Sequence, residues 1–132
     1  RGVVVGTPSY MSPEQAAGRL YAVEERGDVY SLGAVLYHIL TSTPAVRAES
    51  RSETLMRVRK GDFPSPSKRA PGRQIPVALD LIVMKAMAKE PADRHQSVTQ
   101  LMDEIDSWRS DQLGKSAFCR AMQRAWDWLR RS

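Results

Sequence analysis

The chain has 132 residues, with one cysteine, two phenylalanines and two histidines. Each scarcity excludes something. Cys119 stands alone, so no internal disulfide forms, which fits a reducing compartment. With no second cysteine and no carboxylate cluster at ligand spacing, His38 and His95 make no metal constellation. His38 lies in an apolar stretch and is expected to be a hydrogen-bonded core residue; neither histidine is placed as a catalytic base. No apolar run approaches the length of a membrane span, and no signal peptide is present. Gly2, Gly6 and Gly18 lack the spacing and strand-to-helix context of a phosphate-binding loop. There is no internal repeat, and Val3-Val4-Val5 is too short to support a sheet alone. The sequence starts at Arg1 rather than Met, so it reads as an excised or truncated segment.

What is present argues for folding. Apolar residues make up 42% of the chain and three are tryptophans, enough for one small domain with a modest core. The net charge of +5 is uneven. Residues 115–132 hold Lys115, Arg120, Arg124, Arg130 and Arg131 against Asp127, a net +4 that leaves only +1 elsewhere. That pattern excludes a generally basic, nucleic-acid-binding surface and leaves a basic tail.

Helix signals run the length of the chain. Ser12 followed by Pro13 and Gln15 is a capping box, with Gly18 as the stop, so a short helix is expected there. From Asp28 to Leu40 the sequence is apolar nearly all round, as in a helix surrounded by protein. Asp28 is its expected N-cap, worth about 1 kcal/mol; Thr41-Ser42-Thr43-Pro44 ends it. Ser50 with Glu53, and Gly61 after Lys60, bracket a polar surface helix. A loop rich in Pro, Ser and Arg follows from Asp62 to Gln74. Pro76 opens a helix with Leu79, Ile82, Val83, Ala86 and Met87 on its apolar face. Ser97 and Gln100 cap another, with Val98, Leu101, Met102, Ile105 and Trp108 on one side. A last, separate amphipathic helix is expected from Ser116 to Leu129, lined by Phe118, Met122, Ala125, Trp126 and Leu129.

Three motifs fall in order: Gly6-Thr7-Pro8-Ser9-Tyr10-Met11-Ser12-Pro13-Glu14, then Asp28-Val29-Tyr30-Ser31-Leu32-Gly33, then Arg94. Over residues 1–108 they resemble the C-terminal part of the catalytic domain, the large lobe, of bacterial Hanks-type serine/threonine protein kinases. Ser12-Pro13-Glu14 stands where the family usually writes A-P-E. The resemblance implies an all-α fold, the lower half of the large lobe, whose helices match those the family calls αEF, αF, αG, αH and αI, with residues 109–132 as an added basic tail helix. After the central helix the family usually has Gly, Pro and an aromatic residue. Here the aromatic is replaced in Pro44-Ala45-Val46, which leaves the local packing open.

The resemblance also assigns roles. Thr7 matches a residue whose hydroxyl bonds the catalytic Asp and Lys; Pro8, Tyr10 and Met11 help shape the pocket for the residue after the phosphorylated Ser or Thr. Glu14 and Arg94, 80 positions apart, match an internal ion pair. Asp28 matches an N-cap that also bonds the catalytic loop. Val35 and Ile39 match αF positions that support the packed side-chain columns, and read from the residues alone they are core. The plain alternatives are loop packing for Thr7, Pro8, Tyr10 and Met11 and a simple cap for Asp28.

The glycine-rich loop, strand lysine, H-R-D and D-F-G motifs of the family do not occur in this sequence. The parent is expected to transfer the ATP γ-phosphoryl to protein Ser or Thr with Mg²⁺, in bacterial signalling, in the cytoplasm or tethered to a membrane. The chain itself is expected to supply the substrate-side loop and scaffold, to hold no catalytic residue, ATP or metal, and to self-associate through exposed apolar surface. The alternative is a non-catalytic interaction module. Trp126, Trp128 and four arginines also fit a helix lying on a membrane surface.

Overall fold

The computed structural model describes residues 7–19 and 24–131, with side chains throughout except at 113–120 and 123. Val3-Val4-Val5 lies outside the described residues. Among the described residues six α-helices follow one another: α1 (Pro13–Ala16), α2 (Glu25–Thr41), α3 (Arg51–Lys60), α4 (Pro66–Arg69), α5 (Val77–Ala86) and α6 (Val98–Arg131). Short 3₁₀ turns lie at Pro8–Tyr10, Pro71–Arg73 and Pro91–Asp93. The described residues contain no strand, so the architecture is the all-helical one expected.

Local chemistry sets most boundaries. Ser12 Oγ accepts from Gln15 N–H and Gln15 Oε1 accepts from Ser12 N–H, closing the capping box of α1. Gly18 follows with φ +76°, a left-handed turn that a Cβ would strain. Ser50 Oγ accepts from Glu53 N–H to start α3, and Gly61 ends it at φ +68°. Ser97 Oγ accepts from Gln100 N–H at the start of α6.

The central element is α2. Tyr30, Ala34, Tyr37 and Thr41 recur on one face and are buried, with Val29 and Gly33 beside them. This face meets α5, whose Leu79, Ile82, Val83 and Ala86 are all buried. Val98, Leu101, Ile105 and Trp108 of α6 join Val29, Leu79 and Ile82 in one cluster. A second cluster, Ala16, Val46 and Val58 with Leu55 and Phe63, joins α1 to α3. Ala45 and Val46 are both 3% exposed, so the small residues in place of the family aromatic still pack. Arg69 donates to the carbonyls of Pro44 and Ala45 and holds that bend from outside.

The structure corrects five expectations. Asp28 is not the N-cap of α2: the helix begins at Glu25, the Glu24 carbonyl already accepts from Gly27 and Asp28, and Asp28 sits exposed in the first turn. There its carboxylate faces the positive end of the helix dipole. Val35 and Ile39 are not core; they are 44% and 67% exposed and form a stripe with Leu32 opposite the buried face. The segment Asp62–Gln74 is not all loop, because Pro66 starts α4 at a position where its missing N–H costs nothing. Met102 is exposed although its neighbours Leu101 and Ile105 pack inward. The two C-terminal helices are one, since α6 runs unbroken through 34 residues. A lone Gly114 costs a helix only about 1 kcal/mol and nothing near it removes an N–H.

Gly33 marks the tightest approach of α2 to α5. A Cβ there would stand 2.8 Å from Ala86 Cβ and 2.9 Å from Met87 Cγ. Ala86 has no flexible end to move aside. Gly33→Ala is expected to destabilise the fold by about 2 kcal/mol: about 3 from overpacking, less about 1 recovered from better helix propensity. A urea midpoint equal to or above wild type would show that the helices separate at no cost.

Candidate functional site

The segment after Thr7 is a short turn pinned at two places. Tyr10 N–H donates to the Thr7 carbonyl and Met11 N–H to that of Pro8, making the 3₁₀ turn Pro8–Tyr10. Thr7 itself is exposed and its side chain makes no capping bond. Met11 is buried and turns the chain into α1. Tyr10 lies along the side of α2: Ser31 Oγ donates to its carbonyl at 2.7 Å. Its hydroxyl meets His38 Nδ1 at 2.6 Å and its ring stacks on the imidazole, 6.0 Å between centroids at 7°. Thr7, Pro8, Tyr10 and Met11 are therefore neighbours along one turn, with the Thr7 hydroxyl on the solvent side.

Glu14 and Arg94 come together at the other end of this segment. Arg94 is 2% exposed and Glu14 7%. Nη1 donates to Glu14 Oε2 at 2.7 Å and Nη2 to Oε1 at 2.8 Å, a two-point contact. The other three N–H groups also find acceptors: Nε on the Ala88 carbonyl, Nη1 on that of Arg26 and Nη2 on that of Lys89. All five donors of the guanidinium are used. Its carbon also stands 5.0 Å over the Tyr30 ring. Burial alone would raise the Glu14 pKa; the Arg94 hydrogen bond, backbone donation, the Arg94 charge and the Ser12 hydroxyl outweigh it and hold the value below 4.5.

Asp28, Val35 and Ile39 are not gathered with these residues. All three lie with Leu32 on the exposed face of α2, at helical spacing. Beside Glu14 is an open cleft of about 420 Å³, bordered by Arg19, Arg26, Arg59 and Lys89 with Glu24 and Glu90 between them. Arg26 is paired to Glu24 at 2.7 Å. Among the described residues no group of three His, Cys, Asp or Glu could hold a metal ion. The residues that fix the turn, Ser31 and His38, were not singled out for that role from sequence. Their signal was available: seven positions apart, they share the side of α2 that Tyr10 lies along.

Two outcomes are expected from the buried pair. Arg94→Ala should destabilise the chain by about 3–5 kcal/mol, because Glu14 is left as a buried charge without a partner; adding Glu14→Gln should recover part of the loss. An unchanged urea midpoint for the single variant would mean the pair contributes nothing. The second outcome concerns acid. The folded Glu14 pKa lies below its unfolded value of 4.5, so its stabilisation is complete above that pH and is lost as pH falls through the folded value. The wild-type urea midpoint should therefore drop below about pH 4.5 more steeply than that of Glu14→Gln, and parallel curves would exclude the assignment.

No protein-family model matches the chain. Individual proteins do. It is 45% identical over 103 residues to the serine/threonine-protein kinase PknB of Mycobacterium leprae, covering 77% of this chain and 16% of that protein. It is 38% identical over 106 residues to PknD of Chlamydia pneumoniae, covering 80% and 11%. The kinase pkn3 of Myxococcus xanthus is 33% identical over 106 residues, covering 80% and 19%. The chain thus spans between about a tenth and a fifth of the length of these relatives. With its three ordered motifs and all-helical fold, the matched stretch is the C-terminal part of the large lobe of a bacterial Hanks-type serine/threonine protein kinase.

Proposed function

We propose that this chain forms the substrate-side half of a protein serine/threonine kinase, in a parent that transfers the ATP γ-phosphoryl to a protein hydroxyl. One observation carries the reading: the turn from Thr7 to Met11 is anchored at Tyr10 by Ser31 and His38 on α2, and just past Met11 by the Glu14–Arg94 contact. A turn held this way presents the Thr7 hydroxyl and the Pro8–Tyr10 surface in one orientation. That preorganisation suits a platform on which a peptide is laid out before transfer. Thr7 is the residue assigned to bond the catalytic groups of the parent, with Pro8, Tyr10 and Met11 shaping the adjacent subsite. Asp28, on the exposed face of α2, is assigned to the loop that carries those catalytic groups.

ATP and Mg²⁺ belong to the reading of the parent, and the residues described here do not fit them. Among the described residues no carboxylate cluster suits a divalent ion, and the sequence holds no glycine-rich loop to cradle phosphate. No step of the transfer is routed through this chain to either group. By itself the chain is read as inactive. A reducing, cytosolic setting suits its single cysteine; among the described residues no helix is long and apolar enough to cross a membrane.

A second reading, a non-catalytic interaction module, is favoured by the exposed stripe of Leu32, Val35 and Ile39 on α2. In a catalytic domain that stripe would be covered; in a free module it would dock a partner or pair two copies of the chain. One experiment separates the readings. Residues 7–108 replace the matching stretch in the catalytic domain of the Mycobacterium leprae kinase PknB. The graft is expected to phosphorylate a peptide. Thr7→Ala in the graft should lower kcat/KM by about 10- to 100-fold, the loss of a hydrogen bond to charged groups. A folded graft without transfer would favour the second reading. A Thr7→Ala graft as fast as its parent would remove Thr7 from the site.

A further inference from the structure

The last part of α6 carries a surface that the kinase reading does not use. From Arg109 onward every described side chain but Asp127 is exposed. Met122, Trp126, Trp128 and Leu129 are each more than half exposed. At 100° per residue these positions are ordered. Leu129, Met122 and Ala125 form the middle of an apolar arc. Trp126 stands at one border and Trp128 at the other. Arg124, Arg130 and Arg131 fall on the remaining side with Asp127, to which Arg130 is paired at 2.6 Å.

We propose that this end of α6 lies on an anionic lipid bilayer, apolar arc down, with its tryptophans at the water boundary and its arginines on the headgroups. Three features select this occupant. Tryptophan at both borders of a narrow apolar arc matches the depth at which indoles prefer to sit, half wet and half apolar. The net +4 of residues 115–132 complements an anionic surface. A second copy of the helix would set this net +4 against a like +4, which opposes pairing. The segment is also too polar to span the bilayer, and among the described residues no helix qualifies as a span. The surface is independent of Thr7, Glu14 and Arg94, so its failure leaves the kinase reading standing.

The test uses the 132-residue chain carrying Trp108→Phe, so that emission reports only Trp126 and Trp128. That change keeps the ring in its cluster and removes a buried indole N–H that has no hydrogen-bond partner among the described residues. Vesicles of phosphatidylcholine containing phosphatidylglycerol should shift the emission to shorter wavelength, and brominated lipid should quench it. Removing Arg124 and Arg131 together, each as Arg→Gln, should weaken partitioning by about 25-fold, about fivefold for each charge. Met122→Glu with Leu129→Glu should abolish it while the urea midpoint stays that of the parent, since both residues are exposed. The proposal is overturned if phosphatidylglycerol vesicles leave emission unchanged, or if the double glutamate variant partitions like the parent. It is equally overturned if sedimentation shows a dimer through this helix that vesicles do not dissociate.

Discussion

A cation with no water around it holds this structure together. The Arg94 side chain is out of solvent, and a buried guanidinium is tolerated only when its charge and each of its N–H groups are answered. Here the five acceptors come from three separate places. Glu14 belongs to α1, the Arg26 carbonyl to the first turn of α2, and the Ala88 and Lys89 carbonyls to the chain leaving α5. Apolar packing would let these segments slide against one another by a fraction of a residue. A planar fork with fixed donor directions does not. The relative placement of α1, α2 and α5 is thereby set at one point, and the Tyr30 ring closes the remaining side.

That constraint reaches the exposed turn. Glu14 is three residues beyond Met11, so fixing its carboxylate fixes where the Thr7–Met11 segment enters the fold. The Tyr10 contacts to Ser31 and His38 then fix the residue before Met11 against α2. His95 adds a further brace next to the arginine: it is 1% exposed, and its Nε2 meets Glu104 Oε2 of α6 at 2.8 Å. One short polar segment, Arg94-His95, therefore ties α1, α2, α5 and α6 together. Tyr10, packed on the α2–α5 core, and buried Met11 add apolar contact to this polar frame.

How much of this was legible depended on range. Capping boxes and glycine stops are local, and Ser12, Ser50 and Gly61 read correctly because residues three or four apart decide them. The apolar face of α5 was equally plain from its period. The partnership of Glu14 and Arg94 has no local signal across 80 positions; it was expected from resemblance alone, and the carbonyl acceptors of Arg94 were not foreseen. The start of α2 was missed because Asp28 is the better cap by preference, while Glu24 and Glu25 let the helix begin a turn earlier. The join within α6 was missed because two amphipathic segments separated by a glycine look like two helices, though about 1 kcal/mol does not break one. Val35 and Ile39 show the general limit. Periodicity says which residues are apolar; it does not say whether anything lies over them.

The two exposed apolar surfaces then differ in kind, and the difference follows from their neighbours. The α2 stripe of Leu32, Val35 and Ile39 is aliphatic, begins at acidic Asp28 and has no arginine along its helix face. An aliphatic stripe beside a carboxylate suits protein side chains and repels an anionic bilayer. The α6 arc has indoles at its borders and arginines behind it, which suits lipid headgroups and is poorly shaped for a close helix pair. Neither surface contains a residue of the Thr7–Met11 turn, so a partner bound on α2 or a bilayer under the end of α6 needs no movement of that turn in order to bind.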